Sequence, residues 1–180
     1  MATALKIGWI GTGVMGGPMA GHLLDRGHDV AIYNRTRRRA ESLLEAGAQW
    51  RGTPADVARD ADVVVTMLGT PDDVRDVILD DGRVLDSMRE GSLLIDMTTS
   101  EPSLAIEIHE AAKAKDVGAL DAPVSGGDVG ARNGTLVIMV GGDRDTFTRA
   151  RPVFEPLGKT IELQGDAGAG QHTKMVNQLA

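Results

Sequence analysis

The stretch Ile7–Leu24, IGWIGTGVMGGPMAGHLL, decides the fold. A short apolar run leads into Gly11-Thr12-Gly13-Val14-Met15-Gly16, and the residues that follow carry the apolar spacing of a helix. Strand, glycine turn and helix in that order open a crossover unit in which the three glycines have separate tasks. The first permits the tight turn, the second lets the backbone approach a pyrophosphate, and the third lets helix and strand pack closely. Amides at the helix N-terminus, with the helix dipole behind them, then suit a diphosphate. Pro18 fits the first turn, where its missing N–H is no loss. Gly11, Thr12, Gly13, Val14, Met15 and Gly16 are therefore read as a cofactor loop.

The pattern outside this unit repeats it. Leu5–Ile10, Asp29–Tyr33, Asp62–Leu68, Ser92–Met97, Val117–Ala122, Thr135–Val140 and Thr160–Leu163 are short apolar runs, most too continuously apolar to have one face in water. They predict buried, largely parallel strands. Between them Met15–Arg26, Arg37–Ala46, Asp72–Leu79, Pro102–Lys115 and Arg144–Phe154 show helical spacing. Strict alternation predicts an α/β, doubly wound, Rossmann-type sheet with helices on both faces. No internal repeat or Pro/Gly/Ser-rich linker divides the chain.

Bulk composition narrows the function classes. With 180 residues, 42 % hydrophobic and 25 % charged, the chain suits one well-buried domain and neither a disordered nor a collagen-like class. Aromatics make up 3 %, so aliphatic residues and Met must build the core around Trp9 and Trp50. A net charge of −7 argues against nucleic acid and anionic membranes as partners. The absence of cysteine removes disulfides, thiolate nucleophiles and thiolate-held metals, and no metal site is expected. The N-terminus, MATALKIGWIGTG, has no basic segment followed by a long apolar run. No signal peptide or membrane span is expected, and a cytoplasmic location is.

The end of the second strand bears on cofactor choice. An NAD site usually places Asp or Glu about 20 residues past the glycines for the ribose hydroxyls, whereas a 2′-phosphate requires positive charge. Here the strand ends AIYNRTRRRA, with Asn34 in place of the acid and Arg35 and Thr36 after it. A guanidinium fork beside a hydroxyl suits a phosphate, so NADP is expected ahead of NAD. Arg38 and Arg39 are read as a solvated helix face.

Four stretches together resemble the β-hydroxyacid dehydrogenase family, the 3-hydroxyisobutyrate dehydrogenase-like branch of the 6-phosphogluconate dehydrogenase superfamily. They are IGTGVMGGPMAGHLL, DMTTSEP around Thr99, DAPVSGGDVGARNGTLVIMVGG around Ser125, and GAGQHTKMVNQ around Lys174. Thr12 stands where the family commonly has Leu. The resemblance implies that Lys174 is the catalytic acid–base group, that Ser125, Gly126, Gly127 and Asn177 bind substrate with it, and that Thr99 lies by the nicotinamide ribose. Met67 and Leu68 end a strand and would line the same cofactor cleft. The implied substrate is a short β-hydroxyacid or its semialdehyde.

The residues support a chemical reading beside the resemblance. Hydride transfer at a carbinol also moves a proton, so one positioned acid–base group is required. A lysine ammonium can donate that proton, and desolvation would bring its pKa toward the working range. Asn177, three residues on, shares its helical face. Gly168 and Gly170 are expected to turn the chain into that helix, with Met175 and Leu179 packing behind it. The resemblance gives Gln171 no role.

Other readings stay open. 6-Phosphogluconate dehydrogenase follows its lysine with a His-Asn pair, where this chain has Val176-Asn177-Gln178. Imine reductases generally replace the lysine. A non-catalytic nucleotide-binding or assembly module is the third alternative. Residues 1–165 are expected to form the dinucleotide-binding domain and 166–180 the start of an interdomain helix. Family members continue into an all-helical domain that supplies most of a homodimer surface, so this chain alone is expected to be weakly active or inactive, with Lys174 loosely fixed.

Overall fold

The computed structural model describes residues 3–81 and 83–179. Six strands lie parallel in the order β3-β2-β1-β4-β5-β6: β1 (Lys6–Ile10), β2 (Asp29–Tyr33), β3 (Gln49–Trp50), β4 (Val63–Thr66), β5 (Leu93–Asp96) and β6 (Gly118–Asp121). The order reverses between β1 and β4, the place where open α/β sheets form a ligand crevice at their strand C-termini. Gly11 follows β1 and Met67 follows β4, so the glycine loop opens into that crevice.

Alternation along the strands divides the core between two faces. Ile7, Trp9, Val63, Val65, Leu93 and Ile95 belong to one buried cluster with Met19, Leu23, Phe147 and Phe154. Ile10, Val64 and Leu94 belong to the other with Val57, Val74, Ile78, Leu104 and Ile108. The first face is covered by α1 (Gly16–Asp25), α2 (Glu41–Glu45) and α8 (Arg144–Phe154). The second is covered by α3 (Pro54–Ala58), α4 (Pro71–Ile78), α5 (Val84–Ser87) and α6 (Pro102–Lys113). Each fully buried Val, Leu or Ile contributes about 1.5–3 kcal/mol over exposure, which is how a core poor in aromatics is sustained.

The sheet is mixed at its far edge. After β6 the chain bends at Ala122-Pro123, makes β7 (Val124–Ser125), turns through α7 (Gly127–Asn133) and returns as β8 (Leu136–Gly141). β8 runs antiparallel to both β6 and β7, and β9 (Gly158–Gly165) pairs parallel with β8. The run Thr135–Val140 thus forms a strand as expected but against the parallel direction, because the short α7 connection brings the chain straight back. Arg37–Ala46 also differs: it is a 3-10 turn, Arg37–Ala40, followed by the short α2.

β3, α3, α5, β7 and α7 are too short for periodicity to reveal. For α3 a local signal exists. Thr53-Pro54-Ala55-Asp56 and Thr70-Pro71-Asp72-Asp73 share a pattern, and in each the threonine Oγ1 accepts from the backbone N–H three residues on, at 3.1 Å. Proline at the first helical position completes both N-caps. Among the described residues no helix is long and apolar enough to cross a membrane.

The last helix, α9 (Ala169–Leu179), sits against β8 and β6 with almost no space between backbones. A Cβ on Gly170 would lie 2.4 Å from the Met139 carbonyl oxygen and 2.7 Å from that of Asp121. Gly168, with φ +89°, makes the turn into the helix, whereas Gly170 lies within the helix and serves close approach. Met175 and Leu179 do not pack behind it; they are 51 % and 89 % exposed. Gly170→Ala should therefore destabilise by about 1–3 kcal/mol despite the better helix propensity of alanine. Gly21→Ala, in the interior of α1 with only Leu43 Cδ2 at 3.8 Å, should stabilise by about 0.4–1 kcal/mol. Urea unfolding of the two variants checks the opposite signs.

Candidate functional site

The glycine loop is built by contacts a larger residue would prevent. Gly11 has φ +100°, and a Cβ there would meet the Met67 carbonyl oxygen at 2.1 Å. A Cβ on Gly16 would meet the Gly11 oxygen at 2.0 Å, which brings α1 down onto the turn. The Gly11 oxygen also accepts from buried Trp9 Nε1 at 2.9 Å, and Gly11 N donates to the Tyr33 oxygen at 3.0 Å. Gly13 is different, since a Cβ there would meet nothing within 4 Å. Open space at the second glycine, beside an α1 N-terminus with no side-chain cap and no acidic residue in its first turn, fits a diphosphate. Val14 is exposed and Met15 partly so at the mouth of this cradle.

Asn34 ties the loop to β2. Its Oδ1 accepts from Thr12 N at 3.0 Å and its Nδ2 donates to the Thr36 oxygen at 2.9 Å, so its amide is largely used in shaping the loop. Thr12 is buried, and its Oγ1 has no partner among the described residues. Arg35 is exposed and pairs at 3.2 Å with Asp73, an acid 38 residues away in the chain. Arg38 and Arg39 are exposed as expected, and Arg37 is exposed too, with its guanidinium over the Trp50 ring at 5.2 Å.

Met67 and Leu68 meet the glycine loop at the crevice, and Thr98 rather than Thr99 joins them. Leu68 Cδ2 lies 3.2 Å from where a Gly11 Cβ would sit, and Leu68 N donates to Thr98 Oγ1 at 2.9 Å. Thr98 is buried while its neighbour Thr99 is exposed.

The second group of nominated residues converges across 49 residues of sequence. Lys174 Nζ donates to Ser125 Oγ at 2.9 Å, and Asn177 Nδ2 donates to the same oxygen at 2.8 Å. Gly126 and Gly127 continue from Ser125 with φ +131° and +61°, a path that L side chains rarely follow. Lys174 is 8 % exposed and has no carboxylate within 4 Å among the described residues. Burial lowers its pKa below the usual lysine value. Contrary to the expectation of a loose lysine, the side chain is held in place. With two N–H groups on its oxygen, Ser125 retains its own O–H to donate to a further acceptor.

Beneath this cluster lies a polar row that sequence reasoning missed. Thr66, Asp96 and Asp121 are the last residues of β4, β5 and β6, and they pair in register across the sheet. All three are buried. Asp96 Oδ1 accepts from Thr66 Oγ1 at 2.8 Å and from Thr98 N at 3.1 Å. Asp121 accepts from Gly168 N at 2.7 Å and Gln171 N at 2.9 Å, capping the start of α9. Burial pushes the Asp96 carboxyl up to about 6, against these hydrogen bonds, and pushes Asp121 up as well. The available signal was that three apolar strands, VVVT, LLID and GALD, each end on a polar residue.

Comparison with known proteins places the chain in a family. Residues 6–165 match the family model described as the NAD binding domain of 6-phosphogluconate dehydrogenase. The chain belongs to that family. The uncharacterized oxidoreductase YkwC of Bacillus subtilis is 55 % identical over 174 residues, 97 % of this chain and 60 % of the relative. A 3-hydroxyisobutyrate dehydrogenase of Pseudomonas aeruginosa is 43 % identical over 96 % of this chain and 58 % of its own length. The structure of Mycobacterium tuberculosis 3-hydroxyisobutyrate dehydrogenase with L-serine superposes with a TM-score of 0.93 at 38 % identity, covering 98 % of this chain and 60 % of that one. The chain thus spans about three fifths of the length of these proteins.

The Asp96 shift has a sign that can be measured. A carboxyl whose folded pKa lies above its unfolded value makes the protein most stable below the unfolded value and less stable as pH rises through the folded one. Between pH ~4 and ~6 the loss attributable to Asp96 is about 3 kcal/mol. Asp96→Asn keeps an oxygen for Thr66 and Thr98 N and removes the charge. It should flatten stability over that window and be the more stable protein at pH 8 by denaturant titration.

Proposed function

We propose that this chain is the dinucleotide-binding part of an oxidoreductase that interconverts a short β-hydroxyacid and its semialdehyde, with NADP(H) used ahead of NAD(H). The observation that carries the reading is the Lys174–Ser125–Asn177 triangle. A buried lysine without a carboxylate partner is an unstable choice for structure alone, because desolvation penalises its charge with only the Ser125 hydroxyl to offset it. It is a suitable proton donor and acceptor, because the same desolvation brings the two protonation states closer in energy.

The residues divide the chemistry as follows. Gly11, Thr12, Gly13, Val14, Met15 and Gly16 would hold the diphosphate, and Met67, Leu68 and Thr99 would border the rest of the dinucleotide. A bound nicotinamide supplies or accepts the hydride. Ser125 O–H and the backbone around Gly126 and Gly127 donate to a substrate carboxylate or hydroxyl, and Asn177 orients Ser125. Lys174 Nζ donates a proton to the carbonyl oxygen in reduction and takes it back in oxidation. Similarity to the two 3-hydroxyisobutyrate dehydrogenases supports this substrate class. The position of Lys174 supports it over the imine reductase and non-catalytic alternatives, and the missing His-Asn pair supports it over a phosphogluconate substrate.

We also read 1–165 as the dinucleotide-binding domain and 166–180 as the start of an interdomain helix. Met175, Val176 and Leu179 lie uncovered on α9, which supports a further helical domain and a homodimer in the full-length protein.

Lys174→Ala in the full-length protein should reduce kcat by 10²-fold or roughly more while leaving dinucleotide Kd within about twofold, since general acid–base catalysis typically contributes 10²–10⁴-fold. Retained turnover with 3-hydroxyisobutyrate or its semialdehyde removes Lys174 from the mechanism. For the wild type, kcat for reduction should fall with rising pH at a midpoint below the usual lysine value, and kcat for oxidation should rise through the same range.

Cofactor preference has its own test. The Arg35–Asp73 pair is exposed, with the arginine side chain at 85 %, so it is weak and a dianionic phosphate can compete for the guanidinium. Arg35→Ala should weaken NADPH binding by about tenfold, roughly one charge-assisted contact, and NADH by about twofold or less. Asp73→Asn should tighten NADPH and leave NADH unchanged. Calorimetric Kd values for both dinucleotides check this, and equal losses in Arg35→Ala sink the assignment.

A further inference from the structure

Gln171 is completely buried although its side chain is a primary amide. An unsatisfied amide in such a place is costly, so its partners matter. Its Oε1 accepts from Ser100 N at 2.9 Å, and its Nε2 donates to the Thr98 carbonyl oxygen at 2.8 Å. These two groups belong to the peptide units on either side of Thr99. The side chain therefore pairs with Thr99 as the backbone of a neighbouring strand would, and it leaves the Thr99 side chain exposed. The backbone N–H of Gln171 meanwhile donates to Asp121 Oδ2. One residue links the end of β5, the end of β6 and the first turn of α9, and Lys174 follows three residues later on the same helical face.

We propose that Gln171 is a positioning residue for Lys174, fastening α9 to the Thr98–Ser100 segment so that the lysine's place over Ser125 is set by the backbone that borders the cofactor crevice. The proposal rests on the reading of Lys174 as the acid–base group. Packing alone does not account for Gln171, because Met or Leu would fill the volume without needing two partners. Thr98 is itself anchored, donating N–H to Asp96 Oδ1 and accepting from Leu68 N at Oγ1. Hydrogen bonds thus run from Leu68 through Thr98 to Gln171, one turn of α9 before Lys174.

The test uses Gln171→Met, which keeps the length and loses both hydrogen bonds, and Gln171→Glu, which keeps the acceptor for Ser100 N and loses the donor to Thr98. In the full-length protein, Gln171→Met should lower kcat by about 10- to 100-fold, the scale of a small misplacement of a reacting group, with dinucleotide Kd within about threefold. A second readout is the Lys174 13Cε resonance in 13C-lysine-labelled protein, assigned by its loss in Lys174→Arg. Its titration midpoint should rise toward the usual lysine value in Gln171→Met, which adds no charge, as Nζ leaves Ser125 for water. A folded variant with wild-type kcat and an unmoved Lys174 titration overturns the proposal. If the wild type shows no turnover with hydroxyacids, the functional reading fails, yet the Lys174 titration still decides the positioning role. If Gln171→Met does not fold, Gln171→Glu carries the kcat and dinucleotide Kd measurements, and wild-type kcat in that variant overturns the proposal.

Discussion

The structure depends on one buried carboxylate at the junction of three backbones. Asp121 ends β6, pairs with Gly141 of β8 and caps the first turn of α9. A Cβ at Gly141 would lie 2.5 Å from Asp121 Oδ1 and 2.8 Å from Gly170 N, so the junction exists because both neighbours are glycines. Taking a carboxylate out of water is unfavourable and raises its pKa, and amides at a helix N-terminus offset part of that cost. The result is a helix whose start is fixed to the sheet rather than merely packed on it. Everything α9 carries inherits that placement.

The same edge organises the crevice. The connections after β1 and β4 leave for opposite faces of the sheet there, and Gly11, Met67 and Leu68 meet in the opening. Hydrogen bonds from Trp9 Nε1, from Gly11 N to Tyr33 and from Thr12 N to Asn34 hold the glycine loop against the strands, leaving the space beside Gly13 open. Asp96 and Thr98 then join the end of β5 to that of β4. A dinucleotide crevice and a lysine on a distant helix are thus parts of one hydrogen-bonded edge.

Much of this was legible in the residues themselves. The glycine loop, the alternating apolar runs and the two-sided core follow from local spacing, because a parallel strand covered on both faces has to be apolar throughout. DAPVSGG and GAGQHTKMVNQ pointed to Ser125, Lys174 and Asn177 by resemblance, and the fold brings them within hydrogen-bonding distance. The direction of β8 was not legible, since an antiparallel strand buried on both faces reads as apolar as a parallel one. Met175 and Leu179 were misplaced for a related reason: helical spacing says which residues share a face, not whether anything covers it.

What the sequence determined by itself was the class of fold, the glycine loop and the identities of the residues at the candidate site. Those are consequences of backbone freedom at glycine, of apolar periodicity and of side-chain chemistry, all properties of short segments. Only the tertiary structure decided that Thr66, Asp96 and Asp121 form one row, that Gln171 is buried between Thr98 and Ser100, and that Arg35 shares its charge with Asp73. Register between strands and the seating of a helix on a sheet edge depend on residues far apart in the chain. No local pattern carries the cost or benefit of burying a charge there.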